Sequence, residues 1–184
     1  MACPSVDVVF ARGTNQPPGF GRVGKPFLRA LTAGLPGRTV GPYAVDYPAD
    51  SDQDFAPGAT DITRHITTVA AVCPATKFAL GGYSQGALAV SCAIGGPVDD
   101  GFAEVLPATL SARVAAVVVF GNPLGAQSWS FETTSTPFRA QSKELCNTGD
   151  AVCGGRGPGS GTHRGYPDTG ATDQAAAFAL QRLA

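Results

Sequence analysis

The chain has 184 residues, of which 43% are hydrophobic, enough to bury one core, and we expect residues 1–184 to form a single domain. Its formal net charge of -1 excludes the basic footprint of a nucleic-acid-binding protein, so we expect a monomer whose partners are small and uncharged or are neutral surfaces. No apolar run approaches the roughly 20 residues that a transmembrane helix needs.

Short β-branched runs alternate with longer helical patterns along the chain. In chain order, the predicted elements are a strand at residues 6–10, a helix at 24–35, a strand within 38–47, a helix at 58–73, a strand and turn within 77–86, an Ala-rich helix directly after it, a strand within 112–123, a weaker strand within 139–146 and a helix at 170–183. Near-continuous apolar strands separated by helices are typical of a parallel sheet that is covered on both faces. The predicted fold is therefore α/β, with three layers and a central, mostly parallel sheet of about five strands.

The stretch GYSQGA places Ser84 between Gly82 and Gly86, at the junction of the third predicted strand and the Ala-rich helix. The G-x-S-x-G pattern is weak by itself in a chain with 24 glycines. Its context is more specific, because a nucleophile elbow needs a strand, a turn too tight for side chains and a helix whose amides face the serine. The sequence therefore predicts that Ser84 is a nucleophile.

A serine nucleophile needs a base and an orienting acid, and the chain has two histidines, His65 and His163. The chain order in α/β-hydrolases is serine, then acid, then histidine, so His163 is the predicted base. His65 lies within the second predicted helix and is expected to face solvent.

The acid must lie between Ser84 and His163. The candidates are Asp99, Asp100, Glu104, Glu132, Glu144 and Asp150. Asp150 follows the fifth predicted strand, inside a short loop that two cysteines bracket, and such a loop would hold a carboxylate fixed while the imidazolium forms. We predict Asp150 as the orienting acid, and the alternative interpretation is an ordinary turn residue.

The five cysteines lack the C-x-x-C spacing of a zinc site, so we expect disulfides and no metal. Cys146 and Cys153 bracket the loop CNTGDAVC, while Cys3 and Cys73 each precede a proline and a predicted strand, so those two strands are expected to be neighbours. Cys92, on the Ala-rich helix, is expected to stay outside the disulfides and to pack as a small hydrophobe. Disulfides form in an oxidising compartment, which predicts a secreted, extracellular mature protein whose signal peptide is absent from this sequence.

Four motifs together resemble those of the cutinase family of small, lidless α/β-hydrolases. They are VVFARGT in and after the first strand, GYSQGA around Ser84, CNTGDAVC around Asp150 and HRGY at His163. The resemblance runs from Cys3 to the last helix. It implies a secreted serine esterase that acts on cutin-like polyesters, on short to medium acyl esters or on lipids, with a polymer or lipid surface as a further partner. No metal or organic cofactor is implied.

The resemblance also assigns Gln85 and Thr14 to the oxyanion hole. Gln85 begins the helix after the nucleophile, so its amide is one of the unsatisfied groups of a helix N-terminus and faces developing negative charge. Thr14, in ARGTNQ, lies where the family has a hydroxyl-bearing residue, and without the resemblance it would be interpreted as a turn hydroxyl. Two disulfides are implied as well, Cys3–Cys73 and Cys146–Cys153.

The loop before His163 departs from the fungal cutinases, in which it is apolar and helps to form the cleft. Here it reads GGRGPGSGTH, with Arg156 and no aliphatic residue, so we expect one side of the cleft to be polar. The predicted substrate contacts are Phe55, Arg156 and Tyr166. A polar cleft would also suit an acetylxylan esterase, which shares the fold and the motifs. Two further functions stay open: a binding module of this fold, which would usually lack one catalytic residue, and an acyl transferase.

Overall fold

The computed structural model of the chain describes residues 2–98, 103–132, 136–155 and 161–184. Its strands are β1 (Val6–Ala11), β2 (Val40–Ala44), β3 (Lys77–Tyr83), β4 (Val114–Phe120) and β5 (Ser142–Leu145), and its α-helices are α1 (Gly21–Ala33), α2 (Ala56–Val72), α3 (Gln85–Ala93) and α4 (Ala171–Leu183). Each predicted element is present. The second strand ends three residues before its predicted end, and the first helix begins three residues earlier than predicted.

The five strands form one sheet in the order β2-β1-β3-β4-β5, and every neighbouring pair is parallel. Val9 of β1, for example, is in register with Tyr43 on one side and with Leu80 on the other. Because all strands point the same way, the loops that follow them emerge at one edge of the sheet, which is where open parallel sheets bind ligands. We call this the carboxyl edge.

Helices cover both faces of the sheet, as the apolar strands predicted. On one face, α2 and α3 bury Ile62, Ile66 and Val90 against the strands. On the other face, α1 and α4 bury Phe27 and Ala175, among others. Successive strand residues point to opposite faces, so each strand supplies side chains to both layers. No helix in the described ranges is long and apolar enough to span a bilayer.

Two disulfides join the segments that the cysteine spacing indicated. Cys3 and Cys73, which precede β1 and β3, are bonded, and these two strands are neighbours as expected. Cys146 and Cys153 close a loop after β5. Cys92 is buried in α3 and takes part in neither disulfide. The long disulfide lies at the amino ends of the strands and the short one at the carboxyl edge.

Candidate active site

Ser84 occupies the sharp turn between β3 and α3. Its backbone has φ 56° and ψ -118°, a conformation that residues with a side chain rarely adopt. The flanking glycines leave the space that this turn requires, because a Cβ on Gly82 would overlap the carbonyl oxygen of Gly86, and a Cβ on Gly86 would overlap that of Ala11. The turn therefore exposes the serine hydroxyl beyond the end of β3.

Ser84, His163 and Asp150 form one hydrogen-bonded chain. The Nε2 atom of His163 lies 2.8 Å from Ser84 Oγ, and its Nδ1 atom lies 2.8 Å from Asp150 Oδ2. Because an ionised carboxylate only accepts hydrogen bonds, Nδ1 carries the imidazole hydrogen and Nε2 is left to accept from the serine. This is the orientation in which a histidine can remove the serine proton.

The carboxyl group of Asp150 is fully buried and accepts from three donors. Besides the His163 ring, the backbone N–H of Val152 donates to Oδ1 over 2.9 Å, and the hydroxyl of Tyr166 donates to Oδ2 over 2.5 Å. The backbone N–H of Asp150 in turn donates to the carbonyl of Asn147. Buried charge is tolerated where hydrogen bonds replace the lost water, so this network both compensates the burial of the carboxylate and fixes its position.

His163 is held from its backbone as well as from its ring. Tyr83, the residue before the serine, donates its hydroxyl to the His163 carbonyl over 2.7 Å, and the two rings lie 5.0 Å apart. On the other side, Gly121 follows β4 with φ 58°, and a Cβ there would lie 2.8 Å from the His163 ring. A glycine is therefore required beside the imidazole.

The two tyrosines around the histidine stay protonated well above neutral pH. Burial, followed by the hydrogen bond to Asp150, raises the pKa of Tyr166 far above its ordinary value. Burial and the charge of Asp150 also raise the pKa of Tyr83, against the opposing charges of Arg22 and Arg164. Both phenols therefore remain protonated, and able to donate hydrogen bonds, at neutral pH.

Gln85 directly follows Ser84, and Thr14 lines the same cavity as Ser84, so both lie near the serine while their role in an oxyanion hole stays a prediction. Gln85 is the first residue of α3, so its N–H has no acceptor one turn earlier in the helix. Neither polar atom of the buried Gln85 side chain has a hydrogen-bond partner among the described residues. The Thr14 hydroxyl accepts a hydrogen bond from the side-chain amide of Gln53 over 3.1 Å, which leaves its own hydrogen able to donate elsewhere.

A buried arginine anchors the loop that carries Thr14. The guanidinium of Arg12 donates to four backbone carbonyls, those of Gln16, Val45, Tyr47 and Pro48, at 2.6 to 3.3 Å. The hydroxyl of Tyr47 donates to the Arg12 carbonyl in return, and the guanidinium lies 5.1 Å from the Tyr47 ring. The loop after β1 is thereby fixed to the loop after β2.

A cavity of about 710 Å³ opens beside the serine at the carboxyl edge. Its described lining is Thr14, Asn15, Gln16, Pro17, Gly21, Arg22, Lys25, Tyr83, Ser84, His163 and Arg164. Most of these residues are polar or charged. The cavity therefore lies against Ser84, His163 and Thr14 at once.

None of the three predicted substrate contacts is found in the described lining of the cavity. Tyr166 is fully buried, and its hydroxyl contacts Asp150, so the prediction that it touches substrate is wrong: it supports the acid from behind. Phe55 lies at the N-terminus of α2 and packs on the core beside that helix, outside the described lining of the cavity. Arg156 lies outside the described residues, as do the next four residues of the loop that was expected to form a polar side of the cleft.

His65 does not face solvent as expected. Its side chain is only 16% exposed, its Nε2 atom lies 3.1 Å from Asp7 Oδ1, and its ring stacks on Tyr43 with the centroids 3.5 Å apart. The strand β2 adds this aromatic wall beside α2, which the helix pattern alone could not reveal. His65 is part of a structural cluster and not of the cavity.

Several site residues were missed by sequence reasoning. Tyr83 could have been found, because it precedes the serine on the last position of a predicted strand. Arg22, Lys25 and Arg164 carry no local signal, since they meet only when α1 packs near the loop of His163. In the described parts of the chain, no group of three or more His, Cys, Asp or Glu side chains is arranged to hold a metal ion.

Comparison with known proteins shows what the chain as a whole is similar to. The family model described as Cutinase matches residues 2–183. A cutinase from Kineococcus radiotolerans is 50% identical over 179 residues, which cover 96% of this chain and 61% of that protein. The chain thus spans about three fifths of the length of that relative.

Solved structures give the same grouping. The Trichoderma reesei cutinase in complex with a C11Y4 phosphonate inhibitor superposes with a TM-score of 0.78 at 31% identity, over 99% of this chain and 78% of that one. An acetylxylan esterase superposes with a TM-score of 0.81 at 25% identity, over 100% of both chains. The parallel sheet with helices on both faces is shared with these hydrolases.

Proposed function

The chain belongs to the cutinase family, and we propose that it is a serine esterase that hydrolyses carboxylic esters through an acyl-enzyme on Ser84. The observation that carries the proposal is the hydrogen-bonded chain from Ser84 through His163 to the buried Asp150, with 2.8 Å at each link, beside an open cavity. Such a chain turns a weakly nucleophilic hydroxyl into one that attacks a carbonyl.

In the first half of the reaction, Nε2 of His163 takes the proton of Ser84 as the oxygen attacks the ester carbonyl. The carbonyl oxygen becomes an oxyanion, which we assign to the N–H of Gln85 and to the Thr14 hydroxyl. The intermediate then collapses, the bond to the alcohol breaks, and His163 returns the proton to the leaving oxygen. The products are the free alcohol and an ester on the serine.

In the second half, water replaces the alcohol. His163 removes a proton from the water as it attacks the acyl-enzyme, and then gives that proton back to Ser84 as the carboxylic acid leaves. Asp150 stabilises the imidazolium in both halves, and Tyr166 and Val152 hold the carboxylate in place. No step needs a metal or an organic cofactor.

We expect short acyl chains to be preferred. An acyl chain gains about 0.8 kcal/mol per methylene only where an apolar pocket encloses it. The described lining of the cavity is mainly polar, so this gain should end after a few carbons and activity should peak at about C2 to C6. Polyester chains or lipids would then be attacked at a surface, with the polymer or lipid held outside the cavity.

Acetylxylan esterase is the second candidate. The observation in its favour is the superposition on an acetylxylan esterase over the whole of both chains. An acetyl group needs no apolar pocket, which fits the polar lining. Activity on acetylated xylan that equals the best simple ester would favour this candidate over the first.

We also propose the location, the domain organisation and the oligomeric state of the protein. Two disulfides indicate an oxidising compartment, so we propose a secreted, extracellular protein. The family match over residues 2–183 and the single sheet support one domain, and we propose that it acts as a monomer.

A panel of p-nitrophenyl esters from acetyl to palmitoyl, with polyester film and acetylated xylan, tests the substrate range.

Variants test the catalytic residues. Ser84→Ala should lower turnover by about a millionfold, and His163→Ala nearly as much. His65→Ala is the matched control, because that histidine also faces a carboxylate but lies outside the cavity. Loss of activity in His65→Ala with full activity in His163→Ala would contradict the assignment.

The same variants distinguish an esterase from a binding module and from an acyl transferase. A binding module would show no turnover in the unmodified protein, and its ligand binding would survive Ser84→Ala. An acyl transferase would form a new ester when an alcohol is added, because the acyl-enzyme can be attacked by alcohol instead of water. A fall in released acid with an equal rise in the new ester would identify transfer.

A further inference from the structure

Three cationic side chains line the cavity beside the nucleophile. Arg22 and Lys25 are three residues apart on α1 and so lie on one side of that helix, while Arg164 directly follows the catalytic histidine. All three are exposed. They come from two segments more than a hundred residues apart, which the fold brings to the same cavity. We call Arg22, Lys25 and Arg164 together the cationic wall.

The described lining of the cavity supplies no acidic partner for these charges, and the carboxylate of Asp150 lies outside that lining, hydrogen-bonded to His163. None of the described residues that line the cavity is an aspartate or a glutamate. The ion pairs among the described residues involve other cations, namely Arg64, His65, Lys143 and His163. The chain as a whole has 13 lysines and arginines against 14 acidic residues, so the concentration of positive charge is a property of this wall and not of the composition.

The charges of Arg22 and Arg164 act on Tyr83, the residue before Ser84. Burial and the charge of Asp150 raise the pKa of Tyr83, and the charges of Arg22 and Arg164 act in the opposite direction, so both guanidinium groups are felt at the residue before the nucleophile. A cleft lined by one sign of charge raises the local concentration of ligands of the opposite sign.

We propose that the cavity selects esters whose leaving alcohol carries an anionic group, a carboxylate or a phosphate. This inference rests on the proposed esterase function. The alcohol side is assigned because His163 must reach the leaving oxygen to protonate it, and Arg164 is its neighbour in the chain. The proposal differs from the expectation of uncharged partners that was drawn from the net charge.

Two sources of such an anion are relevant. A polyester chain of hydroxy acids has a hydroxyl at one end and a carboxylate at the other, so the last ester before the carboxylate end has an anion on its alcohol side. An acidic glycerolipid carries a phosphate on the same glycerol that bears its esters. In both substrates a carboxylate or phosphate group lies a few bonds from the ester that is cleaved.

The test compares anionic and neutral esters with the same butanoyl group. One pair is 6-(butanoyloxy)hexanoate and the neutral amide 6-(butanoyloxy)hexanamide, and the other is 1,2-dibutanoylglycerol 3-phosphate and 1,2-dibutanoylglycerol. All are soluble at low concentration, so binding to a surface does not enter. We expect kcat/KM to be about tenfold higher for the anion in at least one pair, since one solvated charge pair at 4 Å alone changes binding about fivefold.

Arginine variants test whether the preference for anionic esters comes from the cationic side chains of the cavity. In Arg22→Gln/Arg164→Gln the ratio of anionic to neutral kcat/KM should fall close to one, and 0.5 M salt should lower it in the unmodified protein. Arg29→Gln is the matched control, because Arg29 is an exposed cation of α1 outside the cavity, and this variant should keep the ratio. An equal fall in Arg29→Gln would assign the preference to net charge and overturn the proposal.

The outcomes are separable from those of the proposed function. No hydrolysis of either neutral ester would contradict the esterase itself. Hydrolysis of the neutral esters with a ratio near one in both pairs would overturn only the anion selectivity. Selectivity in the carboxylate pair alone would indicate polyester chain ends, and selectivity in the phosphate pair alone would indicate lipid headgroups.

Discussion

The hydroxyl of Tyr166 donates to Oδ2 of Asp150, the same oxygen that accepts the ring N–H of the histidine. The tyrosine is fully buried and lies outside the described lining of the cavity, so it contacts the carboxylate and not the cavity. It also accepts a hydrogen bond from the backbone N–H of Asn147 and lies 3.5 Å from Cys153 Sγ, so it ties the acid to the short disulfide loop.

Tyr166→Phe should lower kcat by roughly 10- to 150-fold with little change in KM. The variant keeps the packed ring and removes one hydrogen bond to a charged group, a contribution of about 1.5–3 kcal/mol that the site needs when the imidazolium forms. Tyr43→Phe is the matched control, because its hydroxyl also donates to a carboxylate, Asp61, but outside the cavity. Both variants should melt at lower temperature, and a Tyr166→Phe enzyme with unchanged kcat would remove Tyr166 from the site.

Thr14→Val should lower kcat by about 10²–10³ while KM barely moves. An oxyanion donor stabilises charge that exists only in the transition state, so its loss affects turnover and not substrate binding. Thr14→Ser should keep most activity, because the donor stays. Gln53→Ala should have a smaller effect, since it removes only the amide that orients the threonine.

The contrary outcome for Thr14 is equally definite. If the hydroxyl only stabilises its turn, Thr14→Val costs roughly 1 kcal/mol of folding free energy and leaves kcat alone. Melting temperature and kcat measured on the same purified variants distinguish the two roles.

The two disulfides should differ in what their loss does. On the chain-entropy model, the long Cys3–Cys73 loop contributes roughly 4 kcal/mol to stability and the short Cys146–Cys153 loop roughly 2.5. Replacing the short pair by serines should nonetheless lower kcat more, because the fully buried Asp150 lies inside that loop. Thermal unfolding and ester hydrolysis on the two double variants check this, and equal loss of activity in both would contradict it.

Alkaline pH should unfold the protein through its tyrosines. The pKa of each of the four is raised, chiefly by burial, and that of Tyr43 reaches about 12. A raised pKa in the fold means that the stabilisation is complete below pH 10, the ordinary value for tyrosine, and is lost as the pH rises through the folded values. Absorbance of the phenolates should therefore appear above pH 10 and end in a cooperative step with loss of structure. Normal titration at pH 10 with the fold intact would contradict this.

Sequence reasoning reached the fold because buried parallel strands have a simple signature. Runs such as VVVF in β4 are apolar at every position, since both faces of the sheet are covered. The turn at Ser84 was predictable for a related reason: its two glycines have space for no side chain. Chain order then left one histidine after the serine.

The residues that were misjudged depend on neighbours distant in sequence. Tyr166 belongs to a loop near the histidine, and only the packed structure shows that its ring points into the core. The burial of His65 depends on Asp7 and Tyr43, which lie on two different strands. The cationic wall likewise needs α1 and the histidine loop to meet, and no local pattern encodes such a meeting.

The long disulfide lies before the start of β3, and Ser84 lies directly after its end. The seven residues of the strand separate the two by roughly 20 Å. The exposed residues 74 and 75, next to Cys73, are therefore a suitable place for a tether. An enzyme fixed to a bead or fused to another domain there would keep its cavity turned toward the surrounding liquid. A tether in the loops after the strands would place the support where an ester substrate has to approach.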